Sequence, residues 1–183
     1  MYRNEIRKLT ISAMLFALGL VLPFLTGQIP QIGSMLLPMH IPVFLCGLIC
    51  GWRYGAMVGL LVPVVRSFLF GMPPMFPTAV AMAFELCTYG LVAGFVYFRK
   101  GYFCLKSLYK AMVTAMIAGR VVWADAMTVL MGLNGGVFTF EMFAAGAFLN
   151  AIPGIIVQLL LIPAVMVALG KTKLIPFGTE CAG

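Results

Sequence analysis

Four ionic side chains, Arg66, Glu85, Arg120 and Asp125, interrupt stretches that are otherwise apolar. A charge placed in lipid is expensive and marks a functional site by default. The residue types define the available chemistry. A guanidinium takes a carboxylate through two parallel N–H bonds, and Glu85 and Asp125 accept hydrogen bonds. Asn150 and the loop residue Asn134 add uncharged donors and acceptors. Tyr89 and Trp123 lie near this group, where an aromatic ring could stack on a flat ligand, although aromatic residues in a bilayer need no such role. The bland alternative is internal pairing, Arg66 with Glu85 and Arg120 with either acid, pinning helices together. Buried pairs stabilise weakly, however, and apolar replacements often serve as well. The single histidine, His40, reads as a hydrogen-bonded structural residue rather than a catalyst.

Catalytic signatures are missing. The chain has no H-E-x-x-H and no G-x-S-x-G. Gly170-Lys171-Thr172 imitates the end of a phosphate loop, but Val165 stands where that motif needs its first glycine. Any ATP-driven step must therefore be powered by another subunit. Cys46 and Cys50 share a helix face and read as small buried residues, because a metal would need more ligands nearby. The five cysteines do not suggest a disulfide framework. We expect no catalytic residue, no metal and no cofactor.

The elements that must position these side chains are membrane helices. Of 183 residues, 63% are hydrophobic and only 9% charged, against about 25% charged in a soluble domain. The mean hydropathy is +1.09. A chain this apolar lies almost wholly in the bilayer, so residues 1–183 are expected to form one integral membrane domain. Spans need about 20 apolar residues, fewer where protein covers them. They are placed at 9–25, at 37–50, after a tight turn at Gly51–Tyr54 up to Phe70, and at 78–98, 108–132 and 142–169. The second is short, with Pro38 and Pro42 in its first turn, where a missing N–H costs little. Pro63, Pro153 and Pro163 are kink candidates. The loop GMPPMFP at 71–77 cannot be helical throughout, and its Met72, Met75 and Phe76 either cap a pocket or fold back on the bundle. The N-terminus resembles a signal peptide only superficially, and we read it as a retained first helix.

The charges support this all-α bundle of six spans. Arg3, Arg7, Lys8, Arg53, Arg99, Lys100, Lys106, Lys110, Lys171 and Lys173 fall on one side, and loops 26–36, 71–77 and 133–140 carry no lysine or arginine. Basic loops stay in the cytoplasm, so both termini are expected inside. The net charge of +7 follows this topology and is no nucleic-acid footprint. At about 1.5 Å per residue, Arg66, Glu85, Asp125 and Asn150 lie in the outer half, with Arg120 nearer the middle. The layout is a polar pocket open to the outside above an apolar floor.

Three blocks resemble a known family: LPMHIPVFLCGLICGWRYGAMVGLLVPVVRSFLFGMPPMFPTA at 37–79, AFELCTYGLVAGFVY at 83–97 and AGRVVW at 118–123. They are similar to the S component, the substrate-capturing membrane subunit, of energy-coupling factor vitamin transporters. The resemblance implies capture of a water-soluble vitamin in a pocket of outer loops and later helices. It implies association with a transmembrane T component and two cytoplasmic ATPases, in the cell membrane. It also implies that Ala13 and Ala17, an A-x-x-x-A pair in AMLFA, touch the T component. FGMPPMFPTA and AFELCTYG look most like the pantothenate-type branch, in which Arg66 or Arg120 would take the ligand carboxylate. Riboflavin or another flat vitamin is the alternative. A different class, a structural membrane scaffold of cell-shape machinery, would show the same hydropathy. A small intramembrane enzyme using Glu85 or Asp125 as a base ranks last, since no nucleophile–base spacing is present.

Overall fold

The computed structural model describes residues 2–25, 38–99, 104–133, 139 and 152–172. These form six α-helices: α1 (Tyr2–Leu25), α2 (His40–Cys50), α3 (Trp52–Phe70), α4 (Val80–Arg99), α5 (Leu105–Leu133) and α6 (Ile152–Lys171). A π-type turn, Met75–Ala79, precedes α4. Five segments, Glu5–Phe24, Trp52–Phe70, Met75–Arg99, Leu105–Leu133 and Ile152–Lys171, are long and apolar enough to cross a membrane. The sixth helix, α2, is shorter.

Helix α1 begins seven residues before the expected span. Its charged first turns are held by side chains rather than by apolar burial. Lys8 pairs with Glu5 at 3.0 Å, and the Tyr54 hydroxyl of α3 donates to the other Glu5 oxygen at 2.9 Å. Deeper in, Thr10 and Ser12 donate to the carbonyls of Ile6 and Lys8, at 3.0 and 2.7 Å. Hydroxyls in an apolar helix satisfy themselves on their own backbone in this way.

Helix α2 is hydrophobic all round, so it must be enclosed rather than face one side of a core. Every residue of it except Ile49 is buried. Its 11 residues rise only about 16 Å, half a bilayer core, and α1, α3, α4 and α6 surround it. The turn into α3 is shorter than the expected Gly51–Tyr54. Gly51 alone makes it, at φ 100°, a backbone that favours glycine. The reversal brings α3 directly beside α2 and α4. A Cβ on Gly55 would stand 2.6 Å from the Gly47 Cα, and one on Gly90 would strike the Gly55 carbonyl. The small-residue spacings of these three helices are thus internal contacts, the close backbone approach that membrane helices use.

Helix α4 lies at the centre, against α2, α3 and α5. Phe44 of α2 stacks on Tyr89 of α4, with ring centroids 5.0 Å apart, above a layer of Leu48, Leu108, Met112, Ile162 and Met166. The proline-rich loop is non-helical, as its sequence demands. Gly71 closes α3 at φ 69°, Met72–Pro73 and Phe76–Pro77 are cis, and Phe76 is extended. Its turn packs on α3, α4 and α5, with Met72, Met75 and Phe76 exposed. Pro63 and Pro163 are buried within α3 and α6, and Pro153 falls in the first turn of α6. The 142–150 part of the expected last span lies outside the described residues. Cys46, Cys50 and Cys87 are free thiols, whereas Cys104 is disulfide-bonded, a link not anticipated from the sequence.

Candidate binding site

Three helices each contribute a short pattern, and the patterns meet. On α4, Glu85 and Tyr89 are four residues apart and therefore share a face. The Tyr89 hydroxyl donates to Glu85 Oε1 at 2.9 Å. On α2, His40 and Phe44 have the same spacing, and both rings lie against Tyr89, at 5.2 and 5.0 Å between centroids. On α5, Gly119 precedes Arg120. A side chain on Gly119 would collide with the Tyr89 ring. Its absence lets α5 approach α4 closely enough for Arg120 Nη1 to reach Glu85 Oε1 at 3.0 Å.

The result is a closed polar cluster in an apolar bundle. Glu85 is 2% exposed and His40 1% exposed. Arg120 is only partly exposed, and among the described residues one nitrogen of its guanidinium is ion-paired, with Glu85. Glu85 Oε1 accepts one hydrogen bond, from Tyr89, and pairs ionically with Arg120, and His40 Nε2 lies 3.8 Å from the same atom. That is ion-pair range but too long for a hydrogen bond. Among the described residues, neither His40 ring nitrogen has a hydrogen-bond partner. A buried imidazole without partners carries a desolvation cost of roughly 1–3 kcal/mol per group, which a polar ligand could relieve. On α6, Gln158 is buried with its Nε2 also unpartnered.

The cluster sits toward the end of the bundle where α2 begins, α3 ends and α4 begins. The expected outer-half residues are not all gathered there. Arg66 takes different partners from Glu85. It is 3% exposed, and its Nη1 donates to the Leu20 carbonyl of α1. Its guanidinium lies over the rings of Phe24 and Phe70, at 4.9 and 5.5 Å. A carbonyl and two aromatic faces hold this cation, with no carboxylate partner among the described residues. Of the two pairings considered, Arg120 with Glu85 is the one that forms. Asp125 is exposed on α5; five residues beyond Arg120, it is turned about 140° around the helix. Trp123, three residues on and on the Arg120 side, is half-buried. Asn134 and Asn150 lie outside the described residues.

Two polar residues of this site were not singled out by the sequence. His40 was read as structural, although its four-residue spacing to Phe44 was a usable sign of a shared face. Gln158 is a lone amide in the apolar run of α6 and had no companion to draw notice. Ala13 and Ala17 are both exposed on α1, beside exposed Met14 and Leu18. Unlike the glycines of α2, α3 and α4, this small-residue pair is not used inside the bundle. Among the described residues no group of three or more metal-ligating side chains occurs.

Apolar helices around one buried polar cluster define a multi-pass membrane protein. The family model for ECF transporter, substrate-specific component, matches residues 7–167, and the chain belongs to that family. No curated protein and no solved structure matches it. Family members are substrate-binding transporter subunits, not enzymes, and association with T and ATPase components follows from membership.

Proposed function

We propose that this chain captures a water-soluble vitamin from the outside of the cell membrane. In this reading it spans the membrane six times as one domain, with both termini in the cytoplasm, and works with a T component and two ATPases. The observation that carries it is the His40–Glu85–Tyr89–Arg120 cluster, with His40, Glu85 and Tyr89 buried in an apolar bundle. Charged groups are kept at such depth when they serve a ligand. Trp123, Asn134 and Asn150 complete the site, and Ala13 and Ala17 form the face toward the T component.

Pantothenate is the favoured ligand, and riboflavin or another flat vitamin the alternative. Arg120, rather than Arg66, is the carboxylate contact, because among the described residues only one of its guanidinium nitrogens is paired and it stands beside His40, whose ring nitrogens have no partner there. Its carboxylate would meet one edge of the guanidinium while Glu85 keeps the other. Isothermal titration of the purified subunit with a vitamin panel, without ATP, tests the reading. Tight binding of one vitamin, lost in Arg120→Ala, is expected. No binding of any micronutrient would overturn it.

A further inference from the structure

We infer that a carboxylate ligand enters this site together with one proton, which His40 takes up. The inference rests on the ligand-capture reading above. The groups facing His40 are Glu85 and Tyr89 from α4 and, through Glu85, Arg120 from α5. No other ion pair of His40 is formed among the described residues; Arg66 of α3 is held at Leu20, and α6 brings the uncharged Gln158.

With His40 neutral, the described residues of the site hold one carboxylate and one guanidinium, which balance. An anionic ligand at Arg120 would set two carboxylates against a single cation in a buried place, where an uncompensated charge is costly. Hydrogen bonding leads to the same conclusion. A neutral imidazole donates from one nitrogen only, whereas an imidazolium donates from both. His40 Nε2 already stands 3.8 Å from Glu85 Oε1, and a shift of about 1 Å brings it to hydrogen-bond length. Nδ1 is buried and unpartnered. A carboxylate arriving there would place an acceptor at each nitrogen, and only the protonated ring satisfies both. The proton comes from solvent, the ligand stays ionised, and the occupied site is again neutral.

The test is titration of the purified full-length subunit with pantothenate at several pH values between 6 and 8.5, in buffers of different ionisation enthalpy. The dependence of the heat on the buffer gives the protons bound. About one proton per ligand is expected at the alkaline end, where affinity falls about tenfold per pH unit. His40→Gln keeps polar atoms but cannot titrate, so it should bind pantothenate at least about tenfold more weakly than wild type at pH 6, with no proton uptake and a flat pH profile, while its binding of the uncharged alcohol analogue changes far less. The pantothenate analogue with CH2OH in place of the carboxylate should bind wild type without proton uptake. Wild-type pantothenate binding without proton uptake would overturn the inference, as would uptake that persists in His40→Gln. So would binding of uncharged vitamins alone, which leaves the transport reading standing. Failure of the whole panel to bind would instead remove the capture reading, and the inference with it.

Discussion

Separating a binding role for the Arg120–Glu85 pair from a merely structural one requires breaking it in two ways. Arg120→Met leaves Glu85 ionised, 2% exposed, with only the Tyr89 hydroxyl and the distant His40 for company. Removing one partner of a buried pair costs about 3–5 kcal/mol. For a chain of this length each kcal/mol is worth about 2–4 °C, so the midpoint of thermal unfolding should drop by roughly 6–20 °C. Adding Glu85→Gln removes the stranded charge, while the amide carbonyl still accepts from Tyr89. The double variant should therefore recover most of the lost stability, since uncharged replacements of a buried ion pair are often neutral. Binding should not recover, because the carboxylate contact at Arg120 is gone. The assay is unfolding of the detergent-solubilised subunit followed beside vitamin titration on the same preparation. A double variant that is stable and still binds with wild-type affinity would refute the binding role of Arg120. A double variant no more stable than Arg120→Met would refute the assignment of the loss to a stranded carboxylate.

Arg66→Met should lower stability by about 1–2 kcal/mol through the lost carbonyl and aromatic contacts while leaving vitamin affinity within about twofold, as read by titration. Gly90→Val should cost at least about 1–3 kcal/mol by overpacking against the Gly55 backbone, seen as reduced folded yield and a lower unfolding midpoint. Paired Ala13→Leu and Ala17→Leu substitutions should preserve vitamin binding but abolish co-purification with the T component, because both positions are exposed on α1. Asp125→Asn should leave affinity unchanged in the same titration.

Hydropathy and charge placement were legible in the chain itself, because each is a local property. An apolar run of about 20 residues can only be satisfied as a helix in lipid. Loop 71–77 was readable for the same reason, since its prolines exclude a continuous helix. Helix limits were less so. The start of α1 depends on the Glu5, Lys8 and Tyr54 bonds, one of which comes from a different helix.

Partner choice among the buried charges was a tertiary matter. Arg66 and Glu85 flank one loop in sequence, yet the rotation of α3 sends the arginine to α1 and its aromatic rings. Glu85 pairs with Arg120, 35 positions away, because Gly119 leaves room for Tyr89 to lie against α5. His40 joins them because α2 is enclosed and its first turn abuts α4. Sequence determines which residues must leave water and in what helical register. Which of them then meet depends on the angles and separations at which helices seat on one another, and those are set by side chains, such as the missing one at Gly119, on both partners at once.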